Sequence, residues 1–406
     1  MTWDVIVAGG GAAGMVSALI CGSSGLRVLL LEKNKKLGAK VLLTGAGRCN
    51  LLNERVERDC FPCGSGFSQE LLKTWSKEKI LAFFSSIGLE TNSGADGRIF
   101  PITDRAQSVV DVFSQSLNES GVTLNFSERV ESVKKKDSCF LVKTTKGSHK
   151  GRVLVLAMGG QSFGRTGSSG EGFALAKSLG HEVIAPRPAL VALKAKLGPF
   201  HKLQGQKWLC SLKLMKEDEE ICSSLGDVMW TNYGLSGLAI LDITAKAARA
   251  DYNGMHLLID LFPHLEDRKE FFINRARSFP KRTFPEMMTG LLPRKLSKVC
   301  LPLVLNKDEL HVPASQLAQQ RIEAVADKLS ALIVKLGETV GWEQAQITAG
   351  GVDLKEVETD SCQSKLLPNL YLVGEVLNAH GVSGGYNLHL AWATALAAAN
   401  HINKGC

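Results

Sequence analysis

The chain begins with three apolar runs, the first two of which are separated by a glycine-rich turn. Residues 3–8 form a short apolar run rich in β-branched side chains, which predicts a buried strand. The turn over 9–14 follows, and then a small apolar stretch over 15–21 that predicts a helix. A second apolar strand over 27–31 ends at Glu32. This order of strand, turn, helix, strand and acid is the context that the dinucleotide fingerprint G-x-G-x-x-G requires.

Each residue of this fingerprint has a physical role. Gly9 allows the sharp turn out of the strand, Gly11 leaves room for a pyrophosphate, and Gly14 lets the helix pack closely on the sheet. The free N–H groups at the helix N-terminus attract that pyrophosphate. Glu32 can accept hydrogen bonds from ribose hydroxyls and would repel a ribose 2′-phosphate. The sequence therefore predicts a tightly bound dinucleotide other than NADP.

The apolar pattern changes twice after this unit. Up to residue 188 it predicts helices over 71–87 and 106–120 and strands over 122–126, 129–134, 140–144 and 153–157. Residues 189–345 lack the alternation of strand and helix; we interpret them as an inserted domain with a small β unit (about 189–263) and a basic helical unit (about 264–345), including a helix over 316–336. Residues 346–406 return to the first pattern, with strands over 346–352 and 370–375 and a glycine-rich turn before a helix over 388–402. We therefore expect residues 1–188 and 346–406 to form one domain.

Composition narrows the class of protein. The 406 residues are 45% hydrophobic, with no apolar run near the roughly 20 residues needed to span a bilayer. No signal peptide is visible, so we expect a cytoplasmic protein that does not bind membranes, with its ten cysteines reduced. Only Cys60 and Cys63 have C-x-x-C spacing, and no second pair lies at zinc-ribbon distance, so no metal site is expected. A redox dithiol remains an alternative to two ordinary loop cysteines.

Positive charge is concentrated in one segment, although the net charge is only +8. Between positions 268 and 298 only Glu270 and Glu286 are acidic, and phenylalanines are interleaved with the basic residues. The segment could bind RNA phosphates and stack bases, or it could be a solvated face over its own aromatic core. The candidate RNA contacts are Arg268, Arg275, Arg277, Lys281, Arg282, Arg294 and Lys295.

Six further motifs follow the N-terminal turn. They are Thr44-Gly45-Ala46-Gly47-Arg48-Cys49-Asn50, Gly97-Arg98-Ile99-Phe100-Pro101, Ala157-Met158-Gly159-Gly160, Gly350-Gly351-Val352, Gly374-Glu375 and Gly384-Gly385-Tyr386-Asn387. In this combination the chain resembles the BaiN/RdsA-type (YhiN-like) FAD-dependent oxidoreductases over nearly its whole length. It departs from them where an aspartate is expected soon after Glu375, and in having the Cys60/Cys63 pair.

The resemblance implies an α/β fold in which a Rossmann-like, glutathione-reductase-like FAD-binding domain carries an inserted β-barrel plus helical domain. It implies tightly bound FAD, with Glu32 and the first turn at the ADP half and Glu375 near the ribityl and flavin end. The implied cofactor-binding residues are Gly9, Gly11, Ala12, Ala13, Gly14, Glu32, Lys33, Lys40, Thr44, Gly45, Gly47, Arg48, Cys49, Asn50, Val130, Ala157, Gly159, Gly374, Glu375, Gly384, Gly385, Tyr386 and Asn387.

The resemblance also implies an activity. Members of the family are linked to the reduction of carbon–carbon double bonds, in uridine of large-subunit ribosomal RNA or in unsaturated oxo-steroids, and an aminoacetone oxidase activity has been attached to the family. We expect RNA reduction, with a small unsaturated or amine metabolite as the alternative substrate and an FAD-stabilised binding protein without turnover as the second alternative. Since the sequence has one G-x-G-x-x-G, NADH or NADPH would bind only transiently as electron donor. No obligate protein partner is evident.

The reaction needs a proton donor beside the flavin. Cys49 is the first candidate, because a thiol of ordinary pKa can donate a proton near neutrality; a small residue packed against the ring is the alternative. His380 is the second candidate, against a surface loop histidine. On this expectation Cys49→Ser would leave FAD bound and slow the oxidative half-reaction.

Overall fold

The protein is described by a computed structural model that covers residues 1–405. Contacts between residues divide the chain into two compact units. The first consists of Met1–Ala189 together with the chain from Trp342 onward, and the second of Leu190–Gly341.

The elements of the first unit up to Ala189 follow in chain order. They are β1 (Thr2–Ala8), α1 (Ala12–Ser23), β2 (Val28–Glu32), β3 (Leu52–Asn53), α2 (Ser65–Thr74), α3 (Lys77–Ser86), β4 (Thr91–Ser93), β5 (Arg98–Pro101), α4 (Ala106–Glu119), β6 (Thr123–Phe126), β7 (Val130–Lys136), β8 (Cys139–Thr144), β9 (Gly147–Leu156), α5 (Glu171–Ser178) and β10 (Val183–Ala189).

The second unit contains β11 (Leu193–Lys196), β12 (Lys207–Lys216), β13 (Glu219–Trp230), β14 (Gly234–Ser236), α6 (Leu238–Lys246), β15 (Met255–Asp260), α7 (Arg268–Ser278), α8 (Phe284–Met287), α9 (Arg294–Cys300), α10 (Gln319–Ser330) and β16 (Leu332–Thr339). The chain then completes the first unit with β17 (Ile347–Val352), β18 (Leu370–Leu372) and α11 (Tyr386–Gly405).

A mixed sheet forms the centre of the first unit. Its strand order is β6-β2-β1-β9-β8-β7, with β18 also pairing with β9. Strands β6, β2, β1, β9 and β18 are parallel; Ile6, for example, lies between Leu29 and Leu154. Strand β2 and the second half of β1 are buried on both faces, which explains their continuous apolar runs. The predicted Rossmann-like α/β fold is confirmed.

One predicted helix of this unit is wrong. The apolar pattern over 71–87 belongs to two helices, because the backbone leaves helical dihedral angles at Trp75 (φ −105°, ψ 67°) and Ser76 (φ −65°, ψ 162°). Ser76 is the N-cap residue of α3, a position that serine favours. Ile80 and Phe84 are nevertheless fully buried, so the periodicity identified the face correctly but missed the break.

The second unit is built on a closed barrel. Its strand order is β11-β14-β13-β12-β15-β16. The helix predicted over 316–336 is wrong in its last six residues, since α10 ends at Ser330 and β16 begins at Leu332. The alternation of buried Leu332, Val334 and Leu336 with more exposed neighbours is the period of a strand. Pairing of β16 with β15 and β11 closes the barrel.

No helix within residues 1–405 is long and apolar enough to cross a bilayer.

Candidate functional site

A cleft lies in the first unit, at the carboxyl ends of the parallel strands. It contains about 1350 Å³ of atom-free space, including the part open to solvent. Its walls come from the first glycine turn, the end of β2, residues 39–44, the end of β9, and the start of α11. Ligands of open α/β sheets bind at this edge, where the carboxyl ends of neighbouring strands converge.

The glycines of the first turn have different roles. A Cβ at Gly9, where φ is +105°, would lie 2.4 Å from the carbonyl oxygen of Ala157. One at Gly14 would lie 1.8 Å from the carbonyl oxygen of Gly9. Both distances are shorter than any real contact, so these glycines are required by the fold. A Cβ at Gly11 would meet no atom within 4 Å, so this glycine leaves open space in the cleft.

Glu32 lies at the end of β2, directly beneath this turn. The residue is 7% exposed, and its carboxylate accepts hydrogen bonds from the backbone N–H groups of Gly10 and Asn34, each at 2.7 Å. Next to it, Lys33 forms an ion pair with Glu171 at 2.7 Å. The acid is thus fixed at the cleft wall by the backbone around it.

A connected polar network crosses the middle of the cleft. The Lys40 ammonium donates to Glu375 Oε2 (2.5 Å) and to Ser162 Oγ (2.6 Å). Glu375 Oε1 accepts from the backbone N–H of Thr348 at 2.7 Å. The Thr348 hydroxyl accepts from the backbone N–H groups of Gln161 and Ser162. The network therefore fixes the ammonium and the carboxylate side by side in the cleft.

Ser162 and Thr348 were not among the residues predicted from the sequence to form the site. Thr348 comes two residues before Gly350, which belongs to a motif that the sequence did single out. A Cβ at Gly160 would lie 2.3 Å from Thr348 Oγ1, so the second glycine of the Gly159-Gly160 motif is needed for this contact. The glycines of both motifs marked this region in the sequence, but nothing in the sequence indicated that the two motifs contact each other.

The C-terminal glycine turn packs against the segment that follows Cys49. A Cβ at Gly385 would lie 2.7 Å from the Leu52 carbonyl oxygen and 2.8 Å from Asn50 Oδ1. Asn50 Oδ1 is buried and has no hydrogen-bond partner among residues 1–405. Buried polar atoms are almost always satisfied, so an unpaired acceptor beside this turn indicates a missing donor.

Asn387 closes the same turn at the start of α11. Its Oδ1 accepts from the Gly381 N–H at 2.9 Å, and its Nδ2 donates to the Gly381 carbonyl oxygen at 3.0 Å. The Tyr386 ring packs edge-on against Phe61, with centroids 5.7 Å apart. The turn is thereby rigid where α11 meets the cleft.

The predicted cofactor-binding residues fall into two groups. Those that line the cleft are Gly9, Gly11, Ala12, Ala13, Glu32, Lys33, Lys40, Thr44, Val130, Ala157, Gly159, Gly374, Glu375 and Asn387. Those that do not line it are Gly14, Gly45, Gly47, Arg48, Cys49, Asn50, Gly384, Gly385 and Tyr386. Half-exposed Arg48 pairs with Asp104 (2.6 Å) and lies 4.1 Å above the Phe100 ring, so its guanidinium is held by the protein itself.

Glu128 is a cleft residue that the sequence analysis did not single out. Its buried carboxylate accepts hydrogen bonds from Thr144 (2.6 Å) and Asn125 (2.9 Å) and pairs with His149 (2.7 Å). Burial alone would raise the pKa of Glu128, but these partners outweigh it, so the pKa lies below its ordinary value. The charged carboxylate holds the loop before Val130 in place.

Cys49 does not have the ordinary thiol pKa on which its predicted role as proton donor depends. Cys49 is fully buried, and burial raises its pKa to about 12. Its backbone is left-handed (φ +62°), and the residue belongs to the hydrophobic core that includes Leu51 and Leu52. Such a thiol is a poor acid at neutral pH.

His380 is not the surface histidine that was considered as its alternative. Its side chain is buried, and its backbone N–H donates to the Cys63 carbonyl oxygen at 3.3 Å. The Val382 N–H donates likewise to Cys60, so the C-x-x-C segment lies along residues 380–382. Ala379, which precedes His380, lines the cleft.

Some basic residues of the second unit bind other residues of the same unit, whereas others form no ion pair within the described chain. Arg268 pairs with Asp260, and Arg275 donates to the carbonyl oxygens of Met287 and Thr289. Both therefore stabilise the unit's own fold. Phe272 and Phe284 are fully buried, so these two rings form the core rather than a stacking surface. Arg277, Lys281, Arg282 and Arg294 are exposed and form no ion pair within the described chain.

The family model described as the HI0933-like protein Rossmann domain matches residues 3–401. The chain belongs to this HI0933-like family. It is an oxidoreductase of the flavoprotein class, as predicted from the motifs. The alternative of a binding protein without turnover is therefore wrong.

Two curated relatives cover almost the full length. The chain is 33% identical to the 3-dehydro-bile acid delta(4,6)-reductase of Clostridium scindens, over 96% of each chain. It is 28% identical to the ribosomal RNA dihydrouridine synthase of Escherichia coli, over 98% of each chain.

Solved structures show a similar fold at low identity. The 3-ketosteroid delta1-dehydrogenase of Sterolibacterium denitrificans matches with a TM-score of 0.53 at 14% identity, over the whole of both chains. A flavocytochrome c3 fumarate reductase matches with a TM-score of 0.50 at 15% identity, over 99% of this chain and 78% of that one. These likenesses concern the fold alone.

Proposed function

We propose that this protein is an FAD-dependent reductase that saturates a carbon–carbon double bond, and that its substrate is a uridine of large-subunit ribosomal RNA. The observation that carries the first part is the cleft, which joins the open space at Gly11 to the Lys40–Glu375 pair. The unit formed by 1–189 and the chain from 342 would be the FAD-binding domain, and 190–341 the inserted domain.

The residues present fit FAD. The space at Gly11, beside the N-terminus of α1, suits a pyrophosphate, and Glu32 suits ribose hydroxyls. Lys40 and Glu375 offer a donor and an acceptor to the ribityl hydroxyls.

FAD, once reduced, supplies a hydride to the electron-poor carbon of the substrate. The chain's own part is to bind, to orient and to deliver a proton. Glu375 holds the Lys40 ammonium in the cleft, and Thr348 keeps Glu375 in place through its backbone N–H. With Cys49 a poor acid, His380 remains as the second candidate for proton delivery to the neighbouring carbon; its side chain is buried and does not line the cleft, whereas the preceding Ala379 does.

The electrons would come from NADH or NADPH. The sequence has one G-x-G-x-x-G turn, and it belongs to the cleft assigned to FAD. A nicotinamide cofactor would therefore bind transiently and leave after reducing the flavin. Stopped-flow mixing with each nucleotide identifies the donor from the rate at which flavin absorbance is lost.

Two observations support RNA as the substrate. A relative with this activity matches over 98% of both chains, and the second unit presents exposed cations without carboxylate partners. The bile-acid reductase, at 33% identity, favours a second candidate, a small unsaturated oxo-compound. Both substrates contain a carbon–carbon double bond conjugated to a carbonyl group, so the same hydride transfer serves either.

The test is a map of dihydrouridine in large-subunit ribosomal RNA from cells with and without this gene. We expect one dihydrouridine to disappear in the deletion strain. The intact gene should restore it, and a copy with Gly11→Val, which would block the FAD site, should not. An unchanged map would overturn the RNA substrate and favour the small oxo-compound. This test assumes that the protein is cytoplasmic, as predicted from the sequence.

A further inference from the structure

The second unit contains a stack of charged and aromatic side chains that the proposed function does not yet use. The Arg282 guanidinium carbon lies 4.2 Å from the centroid of the Phe279 ring, and that of Arg275 lies 5.2 Å from the same centroid. Arg275 is fixed by its hydrogen bond to the Met287 carbonyl oxygen at 2.8 Å. Two guanidinium groups are thus packed on one partly buried ring.

Arg282, unlike Arg275, makes no side-chain hydrogen bond within the described chain that would keep it from binding a ligand. Its side chain is exposed, and its guanidinium forms no ion pair or side-chain hydrogen bond within residues 1–405. The nearby Glu286 accepts from the backbone and hydroxyl of Thr283 in a capping box; it attracts Arg282 electrostatically but forms no ion pair with it. The guanidinium of Arg282 is therefore exposed above the Phe279 ring, with N–H groups that no hydrogen bond within the described residues occupies.

The surroundings favour an anionic partner. Between Arg275 and Lys298 there are seven basic residues, and Glu286 is the single acid. Arg277 and Lys281 lie near Arg282 in the chain, are exposed, and have no carboxylate partner among the described residues. A ligand that stacks on Arg282 would thus find positive charge along its backbone.

We propose that Arg282, supported by Phe279, is a stacking platform for an unpaired base of single-stranded RNA, with Arg277 and Lys281 contacting the adjacent phosphates. This inference rests on the proposed RNA substrate and deepens it. A guanidinium plane stacks on the face of any base but cannot reach a base inside a duplex. The platform would therefore select an unpaired segment over a helix.

The experiment uses the full-length holoprotein and measures RNA binding by fluorescence anisotropy. The probes are a short oligouridine and a duplex RNA of the same length, each titrated at several salt concentrations. Arg282→Lys keeps the charge and removes the plane. The matched control is Arg294→Lys, since Arg294 is also exposed and unpaired but lies over no aromatic ring within the described chain.

We expect Arg282→Lys to weaken oligouridine binding roughly 3- to 10-fold, because base stacking is lost. The salt dependence should not change, because the charge is kept. Duplex binding and the Arg294→Lys control should match the wild type.

Other outcomes separate the two proposals. Wild-type binding to oligouridine with no effect of Arg282→Lys would overturn the platform and leave the RNA substrate intact. An equal loss for both RNAs would overturn it too, since the contribution would then not depend on an unpaired base. Failure of the wild-type protein to bind either RNA would overturn the RNA substrate itself.

Discussion

At the scale of single residues, the glycines of the first turn separate folding from ligand binding. Gly14 has no room for a Cβ, whereas Gly11 borders open space and has an ordinary φ of −80°. The two positions are three residues apart on the same turn, so they form a natural pair for mutation.

We predict that Gly11→Val folds normally but does not retain FAD, because its side chain would occupy the space of the pyrophosphate. Gly14→Val should instead lose stability, by about 2 kcal/mol or more, since its Cβ would overlap the Gly9 carbonyl oxygen. Thermal unfolding of the apoproteins and flavin absorbance of the purified proteins check both. FAD bound to Gly11→Val at wild-type affinity would contradict the assignment of the cleft.

Cys49 is the residue at which the structure most changes the expected chemistry. With a buried thiol whose pKa is about 12, we now expect Cys49→Ser to keep most of its turnover per bound flavin. The cost should fall on folding instead, at about 1 kcal/mol, as for a typical core substitution. Single-turnover kinetics of the reduced enzyme measure this. A severe slowing with FAD still bound would restore the thiol as proton donor.

At the scale of elements, α11 connects the cleft to the outer helices of the first unit. One face lines the cleft through Asn387 and Thr394, and the Thr394 hydroxyl accepts from the Gly374 N–H at 3.0 Å. His389 is fully buried away from the cleft, and neither ring nitrogen has a hydrogen-bond partner within residues 1–405. Burial lowers the pKa of His389 from 6.5 to about 4; to a lesser extent Glu78 raises this pKa and Lys77 lowers it.

This histidine should make stability depend on pH. Because the folded pKa lies below the unfolded one, the unfolded chain takes up a proton first as the pH falls. The contribution is complete above pH 6.5 and is lost as the pH falls towards 4, by about 3 kcal/mol at most.

We predict that His389→Leu removes this dependence. The difference in unfolding free energy between the variant and the wild type should grow in the variant's favour as the pH falls from 6.5 to 4. Urea denaturation at a series of pH values measures it, with the exposed His264→Gln as control. A constant difference across this range would show that His389 does not titrate as described.

At the scale of the whole molecule, the two candidate substrates make different demands on the second unit. Ribosomal RNA needs the exposed cations, whereas a small oxo-compound needs only the cleft. The charge of this unit can therefore be changed without touching any residue that lines the cleft.

We predict that the triple variant Arg277→Gln, Lys281→Gln, Arg294→Gln loses RNA affinity by roughly tenfold or more and has a shallower salt dependence, because three phosphate contacts are removed. Its reduction by NADH or NADPH should equal that of the wild type. Filter binding at several salt concentrations and stopped-flow flavin reduction provide the two measurements. Undiminished RNA affinity would show that RNA binds to a surface other than this segment.

The sequence determined the features that depend on neighbours in the chain. The strand, turn and helix at 2–23 and the acid at Glu32 were all predictable, because their signals are local spacing and glycine geometry. The boundaries at Trp75 and Ser330 were not predictable. At Trp75 the apolar period continues across the break because both helices face one core, and at Ser330 a barrel strand follows the helix without a turn signal. The packing of Phe272 and Phe284 inside the basic unit was one of two alternatives that the sequence left open.

Tertiary structure alone decided which side chains meet. Lys40 and Glu375 are 335 positions apart, and Thr348 reaches Gln161 across 187, distances over which spacing carries no information. Burial likewise decided that Cys49 is a weak acid and that His389 resists protonation, since desolvation depends on everything packed around a group. The sequence thus specified a dinucleotide fold and the residue types of its cleft, whereas three-dimensional packing specified their partners and their protonation.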